Sequence, residues 1–495
     1  MSIINFINVS FSYPRAAGTF ALDNINLTVD EGEFLAVMGE NGAGKTTLCK
    51  LVNGIIPHSC EGKLAGEVIV DGGRTADLSV PVLASKVGMV FDDPDSQLFT
   101  STVFQEAAFG PENLLLDREE IAGRVKSALC AVGLAGFEGR VPSTLSGGEK
   151  QRLSIAAALA MNGKILCLDE PLCRLDPDGA KEVISVLKNL NKKFNITIVM
   201  TTHDSEMALE NADRVCILKK GRIAAIDTAQ NFYIKTALLE ENGIMPVNEK
   251  KPEPRRMRNN SMGTEHTSKV NAIDIKNFFY SYKDGFCIDN INLSFADNDF
   301  AAVMGNNGCG KSTLLKCVTG LLRPRSGDIL IRGINVKKMT VQDISKEAGF
   351  VMQNPDAQLF TDSVRGEVSF ALKNMRRAKL PGFNISNAEI NMRVDDAITA
   401  AGLEGNALEF PHALNKTGRV KTVIACVLAM GCKIIILDEV DAGLDYNDSI
   451  KIMELARDLH SRGFTIIFVT HNIFLADKYA HRLIKMSAGR IVQDD

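Results

Sequence analysis

The sequence predicts a duplicated α/β chain, two copies of a mostly parallel sheet flanked by helices. Three observations lead there. The chain has 495 residues, too many for one ordinary hydrophobic core. It repeats itself: GENGAGKTTL begins at Gly39 and GNNGCGKSTL at Gly305, DPDSQLF begins at Asp93 and NPDAQLF at Asn354. ILCLDE ends at Glu170 and IIILDE at Glu439, while TTHD and VTHN place His203 against His471. Four blocks in one order mark a duplicated domain. Within each copy, short buried strands alternate with helical patterns, as in a parallel sheet.

The first copy reads in order. Ile3–Tyr13 alternates apolar and polar residues, as a strand does. Glu33–Met38 is a short apolar strand running into a glycine loop, and Lys45–Asn53 carries a helical pattern. Ser146–Met161 is an Ala-rich helix, opened by a good N-cap serine. Lys164–Leu168 and Ile196–Thr201 are buried strands; Val215–Ile217 and Arg222–Ile226 form a hairpin turning at Lys219–Gly221. The second copy repeats this order. The domains are expected at 1–245 and 269–495. Between them, 246–268 lacks apolar periodicity and reads as a flexible linker. Its Arg255, Arg256 and Arg258 read as solvated, as do Arg376, Arg377 and Lys379. A flexible stretch of that length spans about 26 Å, enough for two domains to face each other.

Composition narrows the classes. Apolar residues make 45% and charged residues 23%, a globular balance, and the net charge of −4 gives no global field toward nucleic acid. No apolar run is long enough to span a membrane, and the start shows no secretory leader. Eleven cysteines without framework spacing predict reduced thiols and a cytoplasmic setting.

The motifs carry phosphate chemistry. Gly39-x4-Gly44-Lys45-Thr46 and Gly305-x4-Gly310-Lys311-Ser312 each follow a strand and precede a helix. Glycines let backbone N–H groups curl around phosphate, and the helix N-terminus adds positive potential. Lys45 and Lys311 would reach the outer phosphates; Thr46 and Ser312 offer hydroxyls to Mg²⁺. The rest of each loop, Asn41, Gly42 and Thr47 in one copy and Asn307, Gly308 and Thr313 in the other, belongs to the same expected site. Asp169 and Asp438 end apolar strands, where an open α/β sheet presents ligands, and would hold Mg²⁺. Glu170 and Glu439 follow, placed to orient or deprotonate a water.

The run Leu145-Ser146-Gly147-Gly148-Glu149-Lys150-Gln151-Arg152 completes a specific set. With the phosphate loops and the Asp-Glu strands, the chain resembles the ATP-binding domains of ABC transporters over nearly all of both halves. The resemblance implies two tandem P-loop NTPase (ABC ATPase) domains, each with an N-terminal antiparallel β region and a helical subdomain. It implies head-to-tail pairing, each ATP held between one copy's phosphate loop and the other's Ser146–Gly148 segment or its counterpart. His203 and His471 match the switch histidine, Tyr13 and Tyr282 the aromatic that stacks on adenine, and Leu175-Asp176 and Leu444-Asp445 the loop at the dimer seam.

The copies differ. Ser146, Gly147 and Gly148 face Asn415, Lys416 and Thr417, and the side chains of Lys416 and Thr417 are expected to enter space the family leaves open for phosphate. The family's glutamine, which touches Mg²⁺ and water, is Gln353 in the second copy but Asp92 in the first. In a head-to-tail pair both departures fall in one site, so the site with Lys311, Asp438, Gln353, Glu439 and His471 is expected to hydrolyse ATP and the other to turn over slowly.

The segments Asp93–Phe99 and Asn354–Phe360 resemble the (N)PDxQLF pattern of energy-coupling factor transporter ATPases. In that family the region lines the groove for coupling helices of a transmembrane subunit. The resemblance implies an import motor on the cytoplasmic face of the membrane, with scaffold and substrate-capture subunits in other chains and a vitamin or metal ion as cargo. Two alternatives stand beside it: a cytosolic tandem ATPase acting on ribosomes or nucleic acid, for which a basic arm is missing, and a sugar or peptide importer motor, which lacks the paired segments.

Overall fold

The computed structural model describes residues 2–14, 19–245, 247, 271–282, 285, 287–378 and 384–495. The expected linker residues 248–268, with Arg255, Arg256 and Arg258, and also Lys379, lie outside them. The chain divides into two compact units, one built on each half.

Each unit has two sheets. In the first, the six strands run Arg222–Thr228, Arg214–Lys219, Phe34–Gly39, Thr197–Thr201, Ile165–Asp169 and Val87–Val90 across the sheet. All neighbours are parallel except the first pair, the hairpin expected from the sequence. Phe34–Gly39, Ile165–Asp169 and Thr197–Thr201 are buried along their whole length. Continuous apolar strands are what a parallel sheet covered on both faces requires. The four-stranded antiparallel sheet, Leu22–Asp30, Ser2–Ser12, Lys63–Val70 and Gly73–Arg74, differs. Its Leu22–Asp30 strand alternates buried and exposed residues, packing one face only.

Helices Val103–Asn113, Arg118–Ala131 and Gly147–Ala160 form the helical subdomain. They pack through Val103, Ala107, Val125, Leu129 and Leu153.

The second unit repeats this plan. Its six-stranded sheet runs Ala348–Val351, Ile434–Asp438, Thr465–Val469, Phe300–Met304, Arg482–Ser487 and Arg490–Asp494. Its antiparallel sheet holds Cys287–Phe295, Ile273–Ser281, Ser326–Ile331 and Ile334–Asn335. Its helical subdomain, Val364–Arg377, Asn387–Ala400 and Lys416–Met430, has its own core of Val364, Val368, Leu372, Val394 and Ala425. The sequence-predicted elements all form, with ends shifted by a residue or two. Among the described residues no helix is long and apolar enough to cross a membrane.

Candidate functional site

In both units the strand ends and the glycine loop meet at one sheet edge. The loop after Phe34–Gly39 turns on Gly39, at φ 149°, and the loop after Phe300–Met304 on Gly305, at φ 151°. A Cβ on either would lie 2.2 Å from a backbone carbonyl, Leu218 or Met486. Glycine is therefore required sterically as well as conformationally. Gly42 and Gly308 face open space, with nothing within 4 Å of where a Cβ would stand. Gly44 and Gly310 cap the helices Lys45–Val52 and Lys311–Val318 in left-handed conformations.

The lysines are buried and fold back over their loops. Lys45 Nζ donates to the carbonyls of Gly39 at 2.9 Å and Glu40 at 3.2 Å. Lys311 Nζ donates to those of Gly305 at 2.7 Å and Asn306 at 3.1 Å. Each also lies 3.5 Å from the following acid, Glu170 or Glu439. Those glutamates have φ of 49° and 48°. Left-handed backbone in a non-glycine residue is uncommon and recurs at functional sites. The kink turns each carboxylate toward its lysine.

Around this shared frame the two units differ. In the second, Glu439 Oε1 is 3.0 Å from His471 Nε2, and Gln353 Nε2 donates to Glu439 Oε2 at 2.9 Å. Burial alone would raise the Glu439 carboxyl, but His471 and Lys311 hold it below its ordinary range. Asp438 accepts from Ser312 Oγ at 2.9 Å, and burial lifts it to about 6.

In the first unit, His203 Nε2 lies 3.0 Å from Asn41 Oδ1, 3.2 Å from Lys45 Nζ and 3.2 Å from Glu170 Oε1. Burial and the lysine charge push His203 down to about 3, and burial lifts Glu170 to about 7. The buried Oε1 of Glu170 makes no hydrogen bond among the described residues. Asp169 accepts from Thr201 Oγ1 at 2.8 Å.

Tyr13 and Tyr282 sit beside these loops. Their hydroxyls lie 3.1 Å from Thr47 Oγ1 and 3.3 Å from Thr313 Oγ1. Each ring stands edge-on to a neighbouring aromatic, Phe11 or Tyr280.

Ser146 caps the helix Gly147–Ala160 in a reciprocal box with Glu149. Its counterpart Asn415 also caps, accepting from Gly418 N at 2.8 Å. Lys416 and Thr417 stand where the first unit has Gly147 and Gly148. Lys416 Nζ turns back to donate to the Ala442 carbonyl. Thr417 is buried on the helix face it shares with Val420 and Ile424.

The PDxQLF segments are built alike. Gln97 accepts from Phe91 N and donates to Met89 O, at 3.2 and 3.1 Å; Gln358 does the same with Met352 N and Phe350 O, at 2.8 and 2.9 Å. These amides pin the segment to the edge strand. Asp95 pairs with Lys150 at 2.6 Å, and Asp356 with Arg419 at 2.8 Å, tying the segment to the first turn of the capped helix. The end of each segment leaves an aromatic in solvent. Phe99 is 66% exposed and Phe360 63% exposed, set edge-on against Phe109 and Phe370.

Two residues that sequence reasoning missed hold those aromatics. The buried Glu106 accepts from the N–H groups of Phe99 and Thr100, at 3.0 and 2.9 Å. Glu367 accepts from Phe360 and Thr361, at 2.9 and 2.8 Å. Their recurrence in both repeats, at a fixed distance after Leu-Phe-Thr, was the available signal.

The donors suit a nucleotide with a hard cation. Hydroxyl and carboxylate oxygens stand together at Ser312 and Asp438, as Mg²⁺ prefers, and the glycine loops leave room over their N–H groups.

Comparison with known proteins agrees. The family model described as ABC transporter matches residues 22–173 and 288–442. A protein of Caldanaerobacter subterraneus subsp. tengcongensis, provisionally named an ABC transporter ATP-binding protein, is 35% identical over 98% of this chain and 90% of its own length. One of Methanosarcina mazei with the same provisional name is 36% identical over 99% of this chain and 95% of its own. A solved structure, cbiO1 from Clostridium perfringens, described as part of the ABC transporter complex cbiONQ, is 33% identical with a TM-score of 0.44, covering 48% of this chain and 94% of that one. Loop, strand-end acids and capped helix recur twice in one polypeptide, and the chain belongs to the ABC transporter family as an ATP-binding ATPase with two tandem domains.

Proposed function

We propose that this chain is the motor subunit of an importer of the energy-coupling factor type, driving uptake of a vitamin or metal ion through separate membrane subunits. The observation that carries this reading is the pair of exposed aromatic segments around Phe99 and Phe360. Each is braced from below by a buried glutamate and tied sideways to the capped helix. A solvent-facing aromatic held this firmly, twice, serves a partner better than a core.

ATP binds at Lys45 and at Lys311, with Asn41, Gly42 and Thr47 and their counterparts Asn307, Gly308 and Thr313 lining the loops. Tyr13 and Tyr282 stack on adenine. Thr46 and Asp169, and Ser312, Asp438 and Gln353, hold Mg²⁺, which offsets phosphate charge when bound. Glu439 positions and deprotonates the attacking water, with His471 and Gln353 holding it. Glu170 and His203 occupy the same places in the first copy. In the head-to-tail pairing expected from the family, Ser146–Gly148 completes the site of Lys311. The domain limits proposed are 1–245 and 269–495.

The test is purification of the tagged chain from detergent-solubilised native membranes. Small integral membrane proteins are expected in stoichiometric amounts, and the capture subunit identifies the cargo. The double variant Phe99→Asp and Phe360→Asp should lower their recovery at least about tenfold while ATP binding persists. Recovery of the native chain alone, or with ribosomes, would discard the importer reading and leave the tandem ATPase.

A further inference from the structure

Asp169 and Thr201 end neighbouring parallel strands and stand opposite each other in register. Residues in register put their side chains on one face of the sheet. Thr201 is fully buried, and its hydroxyl is used twice. It accepts the Glu170 N–H at 2.9 Å and lies 2.8 Å from Asp169 Oδ1. A hydroxyl carries one proton and two lone pairs. The amide occupies a lone pair, so the proton is donated to Asp169. One side chain thus fixes both the carboxylate and the kinked backbone beside it.

The second copy is built otherwise. Asp438 stands opposite Val469, which has no hydroxyl. The Glu439 N–H donates to the Val469 carbonyl at 3.1 Å instead. Asp438 is held by Ser312 from the phosphate loop. Equivalent carboxylates are therefore oriented from different sides, one by the neighbouring strand and one by the loop.

We propose that Thr201 is a positioning residue for the divalent cation of the first copy, fixing the rotation of the Asp169 carboxylate that holds it. This rests on the reading that Asp169 binds Mg²⁺ with the ATP at Lys45. Hydrogen-bond partners behind a metal ligand commonly set 10–100-fold in metal affinity, and Thr201 occupies that place. In the second copy the same task falls to Ser312, itself expected to touch the cation, so the two sites should differ in how they depend on Mg²⁺.

The test uses the full chain carrying Lys311→Ala, which confines nucleotide to the first site. Binding of a fluorescent ATP analogue is followed while Mg²⁺ is titrated. The chain has no tryptophan, so no indole emission interferes. Thr201→Val is expected to raise the Mg²⁺ concentration at half-saturation about tenfold. Binding in EDTA should stay within about twofold, which also shows that the fold is intact. Thr201→Ala should repeat the rise, and Thr201→Ser should restore the parent value. An unchanged Mg²⁺ midpoint in Thr201→Val and Thr201→Ala would overturn the inference alone. A Lys311→Ala parent that binds the analogue with no Mg²⁺ dependence would overturn the site reading and the inference with it.

Discussion

Glu439→Gln is expected to lower steady-state ATP turnover roughly 100-fold, the ordinary worth of a general base. Glu170→Gln should cost no more than about threefold, because a slow site adds little to a summed rate. The reason lies in what surrounds each carboxylate. Glu439 is held at both oxygens, by His471 at 3.0 Å and by Gln353 at 2.9 Å. Glu170 lacks the counterpart of Gln353, since Asp92 stands at that position. An ionised aspartate can only accept hydrogen bonds and cannot replace an amide N–H donor. The measurement is phosphate release by the purified full chain at saturating Mg²⁺ and ATP, wild type against each single variant. Equal losses would show two equivalent sites and end the proposed asymmetry. A larger loss from Glu170→Gln would reverse it.

How legible this was depends on where the partners lie along the chain. The phosphate loops were readable because their chemistry is contiguous: the glycines, lysine and hydroxyl residue sit within one short motif. The sheet followed from the alternation of apolar strands and helices, and both copies confirmed it. The Gln353 and Asp92 difference was readable, but other contacts that set the copies apart were not. Thr201 reaches Asp169 across neighbouring strands, and only their register pairs it with the aspartate. In the sequence Thr201 is only the end of a buried strand. Lys416 was legible in identity but not in direction. Its replacement of Gly147 was visible, but where a long flexible side chain turns is decided by nearby carbonyls, here that of Ala442. The glutamine in PDxQLF belongs to a segment the sequence marks for docking, and its amide is spent on the edge strand in both copies.

Glu367→Ala should be among the most disruptive single changes outside the nucleotide sites. The carboxylate is 3% exposed and accepts two backbone N–H groups from Phe360 and Thr361. Alanine leaves both donors without their partner, at a cost of about 2–4 kcal/mol. In a domain of this size that corresponds to roughly 5–12 °C in the unfolding midpoint of the second domain. Glu367→Gln keeps a carbonyl acceptor but loses the charge, and should cost about 1 kcal/mol. Glu106→Ala should act alike in the first domain, where Thr100 Oγ1 adds a third bond at 2.8 Å. Differential scanning calorimetry of the full chain resolves the effect, because each variant should shift the transition of its own domain. The functional consequence separates this role from mere stability. If the buried glutamate exists to hold the aromatic segment, then at a temperature where Glu367→Ala remains folded it should still bind ATP while recovering markedly less membrane partner. Loss of both together would mean that the carboxylate supports the domain as a whole, and full retention of the partner would mean that Phe360 finds its place without it.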